Sequence, residues 1–289
     1  MITSKNNFAV FILTHGRPDR VHTVKSLKAS GYTGAVFIVV DDEDETVDEY
    51  KRVFGEQVIV FGKKESAATF DNGDNFEDRR AIIYARNACF GIAKKLGIKY
   101  FLQLDDDYTS FIYKFDHNLE YKESRVLSLD RLFDVMLNFY LKTPALTIAM
   151  AQNGDFIGGK NSGFASDVRL HRKAMNTFFC AVARPFQFVG RINEDVNTYT
   201  SMAAKGGLFL TIPNVAIIQV QTQKNKGGMT ETYLDSGTYV KSFYTVMYAP
   251  SCTVIGMIGT SRRRLHHRIN WRACAPRILS EKYQKISNE

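Results

Sequence analysis

The chain has 289 residues, of which 45% are apolar, and a formal net charge of +8. That length suits one α/β domain with a tail, or two small domains, and carries enough apolar material for a large core. No stretch approaches the roughly 20 apolar residues of a membrane span, and the N-terminal apolar run ends in His15-Gly16-Arg17-Pro18 without a small-residue cleavage site, so the expectation is an unexported protein of the cytoplasm (the host's, if viral) without stable membrane association.

In chain order, Phe8 to Thr14 (FAVFILT) is a short run of β-formers that stops at Gly16-Arg17-Pro18, which cannot continue a central strand. A helix is predicted next, with Pro18 in its first turn, Val21, Val24, Leu27 and Lys28 at helical spacing, and Gly31 at its end. Ala35 to Val40 repeats the strand pattern and runs into Asp41 and Asp42. Strand, helix, strand is the signature of a parallel α/β sheet. Asp71 to Arg80 is polar and reads as a loop, leading into a helix with one broad apolar face that includes Ile83, Cys89, Ile92 and Leu96. That helix feeds the strand YFLQL, which ends in Asp105, Asp106 and Asp107.

Beyond Tyr108 the pattern loosens. A helix capped by Ser128 is predicted with Leu132, Val135, Met136 and Phe139 inward, followed by the strand ALTIAMAQ, a glycine-rich loop (GDFIGGKNSGFASD) and the strand TFFCAVARP. NEDVNTYTSMAAKGG reads as a helix with carboxylates in its first turn and glycine at its end. Strand material surrounds Pro213, and Lys224 to Gly228 is a basic loop. Cys89, Cys180, Cys252 and Cys274 show no paired spacing, which signals neither a zinc site nor a disulfide framework.

Several of these segments carry chemistry. Three adjacent anions repel by roughly 1–3 kcal/mol per close pair at an effective dielectric near 20, so something positive belongs beside Asp105-Asp106-Asp107. A solvated turn is one reading; a divalent cation on oxygen ligands, bridging a nucleotide diphosphate, is the other. In extended geometry Asp105 and Asp107 share a face and Asp106 takes the opposite one. Thr14 and Arg17, after the first strand, could hold a pyrophosphate at a helix N-terminus, or simply form a turn. Asp41 and Asp42, after the second strand, are placed to hydrogen-bond a nucleoside or to be solvated, with Asp42 the donor-side candidate. Arg86 interrupts an apolar helix and, if buried, needs an anion, either a ligand or a strand-end acid. Near the C-terminus Arg262, Arg263, Arg264, Arg268 and Arg272 are interleaved with His266, His267 and the only tryptophan, Trp271. That mixture fits a polyanion, since guanidinium contacts phosphate while an aromatic ring stacks on a base.

The succession of strand-T-x-GRP, strand-DD, ARN and YFLQLDDD resembles nucleotide-sugar-dependent glycosyltransferases of the GT-A fold, over roughly the first two hundred residues. The resemblance implies a Rossmann-like, mixed but mainly parallel sheet flanked by helices. It also implies a DxD motif in which Asp105 and Asp107 bind Mn2+ or Mg2+ on the diphosphate of a UDP-sugar, with Thr14, Arg17, Asp42, Arg86, Asp105 and Asp106 around the donor. In inverting members an ED pair at a helix start supplies the general base, here Asp195 with Glu194 beside it, although a plain helix cap would look the same. A late histidine, His266 or His267, is the third metal ligand the resemblance suggests, and Lys226 or a tail arginine would neutralise the leaving group.

A narrower resemblance, carried by the compact core followed by KNKGGMTETY and a basic extension, is to the TET-associated glycosyltransferases of bacteriophages. It implies a core over 1–222, a basic extension over 223–289, and a DNA acceptor such as 5-hydroxymethylcytosine, with Tyr233, Tyr239, Tyr244 or Trp271 supporting an extruded base. Three other readings compete: a glycosyltransferase acting on surface polysaccharide or lipid-linked acceptors, a nucleotidyltransferase, and a non-catalytic nucleic-acid-binding protein.

Overall fold

The structure is a computed structural model that describes residues 7–74, 79–166, 168–220, 239–258 and 263–274. The basic loop 224–228, Lys226, Tyr233 and Arg262 lie outside the described residues.

Strand β1 (Phe8–Leu13) is buried along its whole length, which is why it reads as a continuous apolar run. A single-turn helix at Pro18–Arg20 and helix α1 (His22–Ala29) lead to β2 (Ala35–Asp41). Then come α2 (Val47–Phe54), β3 (Val58–Phe61), α3 (Lys63–Ala67), α4 (Ile83–Lys95) and β4 (Tyr100–Asp105). β5 (Tyr108–Phe115) and β6 (Tyr121–Arg125) form a hairpin ahead of α5 (Leu129–Leu141) and β7 (Thr147–Gln152). β8 (Phe178–Ala181), α6 (Glu194–Ala204) and β9 (Phe209–Gln219) complete the core. After it come α7 (Tyr239–Tyr248), β10 (Thr253–Ile258), β11 (Arg264–Ile269) and the short α8 (Trp271–Cys274).

Nine strands form one mixed sheet in the order β3-β2-β1-β4-β8-β7-β9-β5-β6, while β10 and β11 pair separately. The β3-β2-β1-β4 half is parallel throughout; of the remaining pairings only β7 with β9 is parallel. β1 is flanked by β2 on one side and β4 on the other, so the chain reverses direction across the sheet there, and the crevice at the carboxyl ends of β1 and β4 is where such sheets bind ligands. The register sets Leu13 against both Val39 and Asp105, which brings the residues after β1, the acids after β2 and the three aspartates to one edge.

Side chains alternate across the sheet with period two. Phe8, Val10 and Ile12 face a core shared with α1 and α5; Ala9, Phe11 and Leu13 face one shared with α4 and α6. All four cysteines are buried and free. Among the described residues no helix is long and apolar enough to cross a membrane.

The structure corrects two readings. Helix α5 buries Leu129, Phe133, Met136, Leu137 and Tyr140, leaving Val135 exposed and Leu132 and Phe139 only partly buried. The stripe is rotated because the large ring of Phe133 packs against Phe8, Tyr32, Phe111 and Phe179, a contact that helical spacing alone cannot rank. Ser128 occupies the N-cap but its side chain makes no capping bond. The β5–β6 hairpin is hard to see in the sequence because β5 carries a fully buried Lys114, held by Glu123 at 2.6 Å and Asn153 at 2.7 Å, and β6 is a charged edge strand.

Candidate active site

The loop after β1 is held by side chains from three elements. Thr14 Oγ1 donates to Asp106 Oδ2 at 2.6 Å and pairs with the Tyr50 hydroxyl at 2.8 Å. Tyr50 in turn accepts the Arg17 amide at 2.9 Å, and Asp44 Oδ2 accepts the amide of Gly16, whose left-handed φ of 67° turns the chain. Arg17 Nη2 lies 3.2 Å from Asp106 Oδ2, and its Nε is buried without a partner. Asp106 is therefore buried inside the fold, in the turn that follows β4 rather than on a face of the strand. Burial raises its pKa, offset in part by Arg17 and Thr14.

Helix α1 fixes the backbone of the aspartates. Thr23 Oγ1 donates to the Asp105 carbonyl at 2.6 Å and accepts the Tyr108 amide at 3.0 Å, while the Thr23 amide donates to the Asp106 carbonyl at 3.1 Å. Three carboxylates are thus placed by a rigid frame rather than by a free turn.

Arg86 on α4 is fully buried and bridges two parts of the site. Its Nη2 donates to Asp105 Oδ1 and its Nε to Glu194 Oε1, each at 3.0 Å, and its guanidinium lies 4.8 Å from the Phe178 ring centroid. Its Nη1 is buried without a partner. Burial pushes Asp105 up to about 6 in spite of Arg86, and raises Glu194, which also has Asp195 beside it. Asp195 is buried at the start of α6; its Oδ1 accepts the Val196 amide at 2.7 Å, and it has no ion pair among the described residues. Asp107 has no ion pair among the described residues: its Oδ1 is buried and unpartnered, and burial with the charges of Asp105 and Asp106 pushes it up to about 7, with Arg17 opposing the rise.

The acids after β2 divide differently from the expectation. Asp42 is exposed and accepts the Lys63 amide at 2.8 Å, capping α3. It is Asp41 and Asp44, both buried, that face the β1 loop, with Asp41 Oδ2 at 2.7 Å and Asp44 Oδ2 at 3.5 Å from His15 Nδ1. Lys63 Nζ is 3.2 Å from Asp41 Oδ1. The hydrogen bond that Asp41 accepts raises the pKa of the half-exposed His15 ring above its ordinary value, with burial opposing the rise. Sequence reasoning passed over His15, although a histidine two residues beyond a buried strand was the available signal.

The C-terminal candidates lie elsewhere. Among the described residues no group of three or more His, Cys, Asp or Glu side chains could hold a metal, so neither His266 nor His267 joins Asp105 and Asp107 as a third ligand. The physical reason is the separate β10–β11 hairpin: His267 stacks on His266 at 4.4 Å, and burial with the charges of His266 and Lys241 brings it down to about 4. Trp271 stacks on Tyr199 at 5.8 Å and Tyr244 donates to Asp74, so both are engaged in packing. Arg263, Arg268 and Arg272 are exposed, and Arg264 opens β11.

A sheet that reverses at β1 and β4, three aspartates closing β4 and an acidic pair opening α6 together define a GT-A glycosyltransferase core. The TET-associated glycosyltransferase family matches residues 8–228, and the chain belongs to that family. No curated protein sequence matches. Among solved structures, glucosyl-3-phosphoglycerate synthase from Mycobacterium tuberculosis in complex with Mg2+ and UDP is similar at 8% identity and a TM-score of 0.48, over 91% of this chain and 88% of that one. S. aureus TarS 1-349 in complex with UDP-GlcNAc is similar at 12% identity and a TM-score of 0.43, over 84% of this chain and 65% of that one. GalNAc-T7 with UDP, GalNAc and Mn2+ gives 14% identity and a TM-score of 0.40, over 75% and 44%.

Proposed function

We propose that this glycosyltransferase moves a sugar from a UDP-sugar to the hydroxymethyl group of a modified pyrimidine in DNA, with inversion at the anomeric carbon. The observation that carries the reaction is the unequal state of the two acids opening α6. Glu194 is committed to Arg86, whereas Asp195 is buried and, among the described residues, accepts only the local Val196 amide. Asp195 therefore takes the proton of the acceptor hydroxyl as that oxygen bonds to the anomeric carbon and the bond to the diphosphate breaks, releasing UDP. Arg86, bonded to both Asp105 and Glu194, keeps the donor and acceptor sides in register.

The oxygen-only donor set suits a hard divalent cation: Asp107 Oδ1 is buried without a partner, and Asp105 engages Arg86 through Oδ1 alone. Mn2+ or Mg2+ would be held by Asp105 and Asp107 and, when bound, would offset the charge developing on the departing diphosphate. Two protein carboxylates suffice for such an ion where substrate phosphate and water complete its shell. On the donor side, Thr14, Arg17 and Asp106 shape the loop, and Arg17 keeps an unpartnered Nε.

For the acceptor, the extension over 223–289 supplies charge. Between Asp235 and Glu281 the chain has no acidic residue, and its arginines include the exposed Arg263, Arg268 and Arg272. A sign-pure surface of that kind attracts a phosphate backbone. A lipid-linked acceptor is the second reading, favoured by the exposed Phe243 and Met247 on α7. Incubation of the protein with a pool of sugar nucleotides and either hydroxymethylated DNA or membrane extract, followed by mass spectrometry of the nucleosides, separates the two. A hexose, pentose or N-acetylhexosamine mass gain on the modified pyrimidine is expected, and transfer to the extract alone would reject the DNA acceptor.

A further inference from the structure

The strand-end aspartates are placed by the sheet and α1, but the acidic pair opening α6 is set from another direction. Its N-cap, Asn193, has φ 62° and ψ 37°, a left-handed backbone, whereas N-caps ordinarily take the extended region. For a residue with a β-carbon that conformation costs about 1 kcal/mol, and it persists where the surroundings over-determine it. Here they do. Asn193 is buried, and its Nδ2 donates to Thr245 Oγ1 on α7 at 2.6 Å. Its carbonyl accepts the Asn197 amide at 3.0 Å, and Asn197 Nδ2 donates to the Ile192 carbonyl at 2.9 Å. A second tie runs alongside: Arg191 Nε and the Tyr244 hydroxyl both donate to Asp74, and the Arg191 amide donates to the Asn72 carbonyl at 2.8 Å.

We infer that Thr245 and Asn193 are positioning residues for sugar transfer: their hydrogen bond fixes the left-handed cap of α6 and thereby aims Asp195 at the acceptor hydroxyl. This rests on the proposed role of Asp195 as base. Thr245 is fully buried and acts only through Asn193. It also lies beyond residue 228, where the family match ends. The element that bears it, α7, packs against both α6 and the basic β10–β11 hairpin, so the surface offered to an acceptor and the aim of Asp195 share one support. Asp195 is two residues from the cap, so a change in the Asn193 dihedrals displaces its carboxylate directly.

The test uses the full chain with Thr245→Val, which keeps shape and removes the hydroxyl, and Thr245→Ser, which restores it. Turnover is followed as UDP release from a pool of UDP-sugars, with and without a duplex carrying 5-hydroxymethylcytosine, alongside UDP affinity and amide hydrogen exchange. Because a misplacement near 1 Å can cost about 100-fold, Thr245→Val is expected to lower kcat by ~10- to 100-fold while donor KM and UDP affinity stay within about twofold. Thr245→Ser should recover most of kcat, and exchange at the Asn197 amide should quicken in the valine variant alone. Wild-type kcat with unchanged exchange at Asn197 in Thr245→Val overturns the inference. So does a parallel loss of kcat, UDP affinity and melting temperature, which marks a role in folding only. If the unaltered protein neither releases UDP nor modifies DNA, the transferase reading fails by itself, and the exchange comparison still decides whether Thr245 fixes the cap.

Discussion

Asp106 and Asp107 are neighbours of one residue type, and burial raises the pKa of both, yet the fold gives them different partners. Asp106 satisfies Thr14 and Arg17, so Asp106→Ala leaves a partly buried cation and a buried hydroxyl without this acceptor and should cost about 2 kcal/mol in denaturant-induced unfolding. Asp107 is half-buried, its Oδ1 has no partner among the described residues, and it is pushed up to about 7, so its ionised form opposes folding in the absence of metal. Asp107→Asn is therefore expected to keep or raise the melting temperature while cutting metal-assisted turnover by ~100-fold or more. Equal losses of stability at the two positions would count against this division. His15 offers a separate check through pH. Its folded pKa is raised above the ordinary 6.5 by Asp41, so its contribution to stability is full below pH 6.5 and disappears as pH rises through the folded value. Urea unfolding at a series of pH values should show that decline, and His15→Gln should flatten it.

Among elements, the approach of α7 to the loop before α6 depends on Gly190. Its φ is 74°, and a β-carbon there would meet Asn197 Nδ2 at 2.4 Å and the Tyr248 ring at 2.6 Å. Gly190→Ala combines backbone strain with overpacking and should destabilise by ~2 kcal/mol, measured as a shift of the denaturation midpoint. The β10–β11 hairpin makes a different prediction. If it binds DNA phosphates, Arg268→Ser and Arg272→Ser should each weaken binding to duplexes of any sequence and reduce the slope of log K against log salt by about 1. Loss of affinity for one sequence alone, with an unchanged slope, would point to base reading instead. Legibility also varied by element. β1, β2 and β4 were readable because strands buried on both faces are continuous apolar runs. The α2–β3–α3 stretch and the β5–β6 hairpin were not, because their strands are short, partly exposed or interrupted by Lys114.

At the scale of the whole molecule, the chain order of the motifs already contained the site. Parallel strands all present their carboxyl ends to one edge, so any sequence that ends successive strands in Thr14, Asp41 and Asp105 must gather them there. That result is local, and local geometry is what a sequence writes down. The division within the triplet is set otherwise: Asp106 and Asp107 lie in the turn after β4, where period-two alternation does not place side chains. The pairing of charges is not local. Arg86 meets Glu194 across 108 positions and Thr14 meets Asp106 across 92, and only the packed sheet could say that Arg86 would pair with Asp105 and Glu194 while Asp107 and Asp195 have no ion pair among the described residues. The same holds for His15 against Asp41, for Asp42 spent as a cap on α3, and for Thr245 against Asn193. Composition and order determined which groups reach the edge of the sheet. Tertiary packing decided which of them stay charged and unpaired, because burial and pairing depend on neighbours that the linear chain holds far apart.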